Sequence, residues 1–150
     1  MVKKCIIASG LVIRNGKILF VRHRKLGVWL YPGGHVKKDE FPSEAVIRET
    51  KEETGFDVEI VSDKSMKVGD GMAHNIAQPF VIMLENVPYK DGPHTHFDML
   101  YVTRIIGGRQ QLDEKESDDI RWFSIDDLRT LDTYANVVDV AIAALEKYGG

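Results

Sequence analysis

Apolar and polar positions along this chain of 150 residues repeat with two different periods. Cys5 to Ile13 and Lys17 to Arg22 are apolar and rich in β-branched residues. Asn15-Gly16 lies between them, and both residues tolerate positive φ, so the pair predicts a hairpin. Val28 to Tyr31 predicts a short strand, stopped by Pro32-Gly33-Gly34. A helix is expected from about Ser43 to Thr54, with Ser43 as its N-cap and Gly55 where a left-handed C-terminal cap belongs. Phe56 to Val61 alternates as a strand does, and Gln78 to Leu84 and Phe97 to Ile106 read as two longer strands. Glu85 to His96 holds Pro88, Gly92 and Pro93 and is expected to be a loop or hairpin between them. Ile120 to Ile125 reads as a last strand, followed by a short helix from Ile125 to Leu131 capped by Ser124. Val137, Val138, Ala141, Ile142 and Leu145 recur at spacings of three and four, so Tyr134 to Tyr148 predicts a closing amphipathic helix. Strands, helix, strands, helix in that order predict an α/β (α+β) fold in which helices cover both faces of a mixed sheet.

Length, charge and cysteine usage narrow the setting. A chain of this size suits a single domain, 1–150, without internal repeat or linker. A net charge of −3 gives no electrostatic footprint for nucleic acid, which is not expected as a partner. No run of 18 apolar residues is present to span a membrane, and Met-Val-Lys-Lys-Cys runs straight into a strand without a secretion signal. The one cysteine, Cys5, excludes an intramolecular disulfide and reads as a small buried residue. A cytoplasmic protein, monomeric or homodimeric, is the expectation.

The stretch from Gly34 to Phe56, GHVKKDEFPSEAVIRETKEETGF, carries the chemistry. On a helix, Glu49 and Glu52 are i,i+3 and Glu49 and Glu53 are i,i+4, so three carboxylates share one side just after a glycine turn. Like charges so placed destabilise a bare helix by about 0.2–0.5 kcal/mol per pair. Arg48 relieves part of this through Glu52 and Glu44. The remainder calls for a cation, and carboxylate oxygens without a Cys or His cluster favour a hard divalent ion. Mg²⁺ fits best, with Mn²⁺ able to replace it, and such an ion beside a glycine turn suits phosphate chemistry.

The same stretch resembles the signature of the Nudix hydrolases. Gly34 is followed after five residues by Glu40, and seven residues later comes Arg48-Glu49-Thr50-Lys51-Glu52-Glu53-Thr54-Gly55-Phe56. Every charged and glycine position of the family pattern is met; Thr50 stands where an aliphatic residue is commoner. The resemblance implies a Nudix-type α/β/α sandwich and an Mg²⁺-dependent pyrophosphohydrolase. Its substrate would be a (deoxy)nucleoside triphosphate or another nucleoside diphosphate linked to a group X, cleaved by water that the metal activates. It also implies roles: Glu49, Glu52, Glu53 and the carbonyl of Gly34 as metal ligands, Glu40 in support, and Arg48 holding a glutamate in place. The general base would be Glu53 or Glu116, the latter on the acidic loop Leu112 to Asp119. An RNA 5′-end pyrophosphohydrolase and a nucleotide-binding sensor without turnover are the alternatives on the same scaffold.

Residues that could choose the substrate lie outside this box. Arg22 and Arg24 alternate at the end of a strand and could meet a phosphate. Tyr31 could stack on a base, and His35 follows Gly34 closely. His94, His96 and Asp98 alternate and would share one face at a strand's start. They suit a polar pocket wall or a structural network, and as a transition-metal set they lack a fourth ligand. The loops Asp63 to Gln78 and Asn86 to His96 are expected to carry selectivity.

Overall fold

A computed structural model describes residues 2–63 and 66–150. In chain order the elements are β1 (Lys3–Arg14), β2 (Lys17–His23), β3 (Trp29–Leu30), β4 (Gly33–His35), α1 (Pro42–Thr54), β5 (Phe56–Ile60), β6 (Val81–Tyr89), β7 (Gly92–Gly108), β8 (Ser117–Phe123), α2 (Ile125–Leu128) and α3 (Ala135–Tyr148).

The centre of the sheet is a parallel pair, β1 and β7, in register from Lys3 opposite His94 to Val12 opposite Thr103. β4 adds antiparallel to β1, while β6 and β5 share the far side of β7. β2 joins the end of β1 and carries β3 and β8 antiparallel beside it. The hairpin at Asn15-Gly16 forms as expected, with φ of 52° and 72°.

One face of this mixed sheet is covered by α1 and the other by α3. Ala45 and Val46 of α1 pack on Ala8 and Tyr101. Gly10 lets the helix come close, since a Cβ there would meet the Thr50 hydroxyl at 2.7 Å. Thr50 is fully buried, which explains why this position favours a residue with little polarity. On the other face Val137, Val140, Ala141, Ala144 and Leu145 of α3 pack on Leu11, Phe20, Leu100 and Leu128. Burying each large aliphatic side chain contributes about 1.5–3 kcal/mol, so both faces are strongly specified.

Several boundaries differ from the expectation. The helix α1 starts at Pro42, not Ser43. Proline's fixed φ suits the first helical position, and the Glu44 carboxylate turns back to accept the Phe41 N–H at 2.9 Å. Ser43 is therefore inside the helix, and Glu44 is not a partner of Arg48. Gly55 caps the other end in the left-handed region, φ 81°, its N–H donating to Lys51 O at 2.9 Å. Of the two forms expected for Glu85 to His96, the structure has the hairpin. β6 and β7 continue to a turn at Lys90-Asp91, with Pro88 facing Pro93. Among the described residues β6 pairs with β7 alone, and an edge position tolerates a missing N–H. The second helix ends at Leu128, short of Leu131, and keeps its Ser124 cap, with Asp127 N–H donating to Ser124 Oγ at 3.2 Å.

Candidate active site

The box is assembled where β4 meets the C-terminal half of α1. The Gly33 N–H donates to Glu53 Oε2 at 2.6 Å, fixing that carboxylate against the turn. Gly34 lies flush against Glu49: a Cβ built there would stand 2.5 Å from the carboxylate carbon and Oε1. Only glycine lets a carboxylate lie this close to the backbone. Arg48 ties the remaining groups together. Its Nε and Nη2 donate to the two oxygens of Glu40 at 2.7 and 2.9 Å, its Nη1 to Glu49 at 2.9 Å and Glu52 at 3.2 Å, and its Nη2 also to the His35 carbonyl at 3.1 Å. The three carboxylates of the helix are thus each held differently, and Glu52 is the most exposed.

The charges respond to this setting. Burial pushes the Glu53 carboxyl well up, against the Gly33 hydrogen bond, and Glu49, Glu116 and Asp113 push the same way. Burial also raises Glu49, against Arg48, which lowers it. Glu40 runs opposite: its hydrogen bonds from Arg48 bring it down to about 2. Arg48, gripped by Glu40 and Glu49, is held charged.

The acidic loop lies alongside. Gln111 N–H donates to Thr54 O at 2.8 Å and Asp113 N–H to Glu53 O at 3.4 Å, which brings the loop to the end of α1. Glu116 is exposed, and its charge is felt by Glu53, His23 and Tyr89. Arg22 and Arg24, considered above for phosphate contact, are engaged with this loop. Arg22 pairs with Asp118 at 3.3 Å, and Arg24 Nε donates to Glu114 O at 2.6 Å.

A cluster of polar side chains lies on the sheet face away from α1. Asp98 is buried there and accepts the Ser9 hydroxyl at 2.9 Å. It shares a side-chain hydrogen bond with Glu85; burial raises both carboxyls, so the pair retains a proton. His94 and His96 continue the same face, and the His35 ring stands 6.3 Å from His96. Tyr31 does not stack in the open. Its ring packs edge-on against Phe20 in the core, where the strand alternation turns it, and burial keeps its hydroxyl protonated. The parallel register of β1 and β7 brings Cys5 opposite His96, so Cys5 belongs to this cluster despite its distance along the chain. Glu85, Ser9, His23 and Tyr89 also border the cluster. Cys5 and Ser9 arrive through the β1–β7 pairing, which sets Lys3 opposite His94 and leaves no local signal.

The family model of the NUDIX domain matches residues 6–144, which takes in every element from β1 through most of α3. The chain belongs to the Nudix family. It is 39% identical over 106 residues to the m7GpppN-mRNA hydrolase dcap-2 of Caenorhabditis elegans, a match over 68% of this chain and 11% of that protein. It is 34% identical over 98 residues to a probable DHNTP pyrophosphohydrolase of Lactococcus lactis subsp. cremoris, over 65% of this chain and 52% of that one. The chain thus spans about half or less of these relatives' own length. Its fold matches a NUDIX-family hydrolase from Clostridium perfringens with a TM-score of 0.79 at 25% identity, covering 95% of this chain and 96% of that one.

The donor set of the Nudix box fits a hard divalent ion. It offers carboxylate oxygens and a glycine backbone, and the Gly34 cradle is shaped by Glu49 itself. Among the described residues no helix is long and apolar enough to cross a membrane. Of the expected selectivity loop Asp63 to Gln78, Lys64 and Ser65 lie outside the described residues. The second such loop, Asn86 to His96, is the β6–β7 hairpin and carries His94 and His96 of the polar cluster.

Proposed function

We propose that this Nudix chain is an Mg²⁺-dependent pyrophosphohydrolase acting on a (deoxy)nucleoside triphosphate or a small nucleoside diphosphate-X compound. The observation that carries the reading is the glycine turn closed onto the helix carboxylates, Gly33 on Glu53 and Gly34 against Glu49, with Arg48 bracing Glu40, Glu49 and Glu52. Glu49, Glu52, Glu53 and the Gly34 carbonyl would hold the metal, and Glu40 supports them through Arg48. When bound, Mg²⁺ neutralises the diphosphate and acidifies water. Mn²⁺ would serve in its place.

In this reading a water oxygen attacks one phosphorus and the bridging oxygen leaves with the other phosphate. Glu53 takes the water proton. Its Oε2 is fixed by Gly33, and its burial favours proton uptake. Glu116 faces it from the loop and raises its basicity through like charge. Asp98 and Glu85, holding a proton between them, offer both a donor and an acceptor to the base or sugar, with His35 at the rim. Names among the relatives favour one rival, an RNA 5′-end substrate, since dcap-2 is an mRNA hydrolase and a Marinomonas relative is an RNA pyrophosphohydrolase.

The test is a phosphate- and pyrophosphate-release screen with Mg²⁺, covering the common (d)NTPs, linked dinucleotides, nucleotide sugars, and capped or triphosphorylated RNA. Inorganic pyrophosphatase is added in parallel wells. Phosphate appearing only with the added pyrophosphatase identifies cleavage between α and β of a triphosphate. Activity confined to RNA moves the function to RNA ends. Glu52→Gln and Glu53→Gln should each lower kcat by about 10²-fold or more with the fold intact. Near-wild-type turnover in both removes the metal-site assignment, and silence across the panel with tight nucleotide binding leaves a sensor.

A further inference from the structure

We propose that Cys5, His94 and His96 form a second metal site, separate from the box carboxylates, that binds Zn²⁺ through one thiolate and two imidazoles and leaves a fourth position open. The three ligand atoms lie within 4.8 Å of one another, and this is the one group of three such side chains gathered so closely among the described residues. Donors around a tetrahedral zinc, with Zn–S and Zn–N bonds of about 2.3 and 2.0–2.1 Å, stand about 3.5 Å apart. Side-chain adjustments of about 1 Å would therefore close the site.

The sheet places these residues independently of any ion. Cys5 and His96 are register partners on the parallel strands β1 and β7, and His94 is two residues before His96 on the same face. His96 is nine-tenths buried, and its Nε2 has no hydrogen-bond partner. A buried ring nitrogen without a partner costs about 1–3 kcal/mol, which a metal–nitrogen bond would offset. The other nitrogen of His96, Nδ1, faces the Glu85 carboxylate at 3.9 Å, and His94 Nε2 faces Asp91 at 3.5 Å. A metal-binding histidine commonly directs its second nitrogen at a carboxylate in this way.

Thiolate and imidazole select a borderline ion, whereas the oxygen donors of the box select a hard one, so the two sites need not compete for the same metal. Three protein ligands are too few for a closed structural zinc, and the fourth position would be filled by water or a small anionic donor. The exposed His35, its ring 6.3 Å from that of His96, puts the cluster next to solvent, from which such a donor would come.

The experiment uses the full chain stripped with a chelator and titrated with Co²⁺. A thiolate-to-cobalt charge-transfer band with intense tetrahedral d–d bands should saturate at one equivalent and be displaced by Zn²⁺. Cys5→Ser should abolish the charge-transfer band, and Glu52→Gln should leave it unchanged. No such band in the wild type, or its loss in Glu52→Gln, overturns the proposal. Should Cys5→Ser fail to fold by circular dichroism, two further variants serve, with Zn²⁺ affinity measured against a competing chelator. His94→Gln should lose saturable Zn²⁺ binding, and Glu85→Gln should weaken it by about 10–100-fold. Wild-type Zn²⁺ affinity in His94→Gln overturns the site as well.

Discussion

Replacing Gly34 with alanine separates the chemistry of the box from its folding. The added methyl would stand 2.5 Å from Glu49 Cδ and Oε1 and 2.8 Å from Oε2. Non-bonded heavy atoms settle at about 3.5–4.0 Å, so the carboxylate must retreat by about 1 Å. Glu49 can do so by rotating its side chain, and Gly34 does not use a positive φ that alanine would resist. The retreat stretches or breaks the 2.9 Å hydrogen bond from Arg48, a charge-assisted contact of about 1.5–3 kcal/mol at most. Arg48 keeps its bonds to Glu40, so the expected loss is nearer 1 kcal/mol, or about 2–4 °C in Tm for a chain of this size. Turnover should suffer far more, because a 1 Å misplacement at a reacting centre costs about 10²-fold. Gly33→Ala is the contrast. Its methyl would meet Ala8 O at 2.6 Å and Ser9 Cα at 2.8 Å, backbone atoms that cannot swing aside. That variant should melt much lower. The assay is kcat/KM across an Mg²⁺ titration beside thermal melts of both variants. Turnover in Gly34→Ala within about twofold of wild type, at the same Mg²⁺ requirement, would refute the claim that Gly34 positions Glu49 for the reaction.

Three further outcomes follow from the same contacts. Arg48→Lys keeps the charge but loses the two-pronged grip on Glu40, so activity should fall by about 10–100-fold. Glu40 then returns towards its ordinary value. Its lowered pKa contributes stability above 4.5 that is lost as pH falls towards about 2, so the variant should acid-unfold at higher pH by circular dichroism. Glu116→Gln should reduce kcat by less than about tenfold if Glu53 is the base; a larger drop transfers that role to the loop. The Glu85–Asp98 pair acts with the opposite sign. Its raised carboxyls contribute stability that is fully present below their ordinary values, 4.5 for Glu85 and 3.8 for Asp98, and is lost as pH rises through the raised ones, about 9 and about 6. The pair should therefore lower wild-type Tm as pH rises from about 6 to 9, above the range in which Glu40 acts, and Glu85→Gln should flatten that decline; an unchanged slope would show that the pair does not hold a proton.

What was legible in the chain was whatever is encoded within one turn of helix or one hairpin. Asn15-Gly16, the Gly55 cap and the face shared by Glu49, Glu52 and Glu53 are all local, and the structure holds them as their spacing implies. Less legible was what depends on a partner further along the chain. Pro88 and Pro93 left open whether the segment was a loop or a hairpin, and the structure has the hairpin, the two prolines facing each other near its turn. The contacts of Arg22 and Arg24 with the acidic loop, some 90 residues away, had no local signal either. Cys5 is the clearest case of what topology adds. It is the small buried residue expected, and His94, His96 and Asp98 lacked a fourth ligand. The parallel register of β1 with β7, which no short-range pattern announces, makes them neighbours. The two candidate metal sites therefore differ in how they are written: the carboxylate site in 23 contiguous residues, the thiolate–imidazole site only in the topology of the sheet.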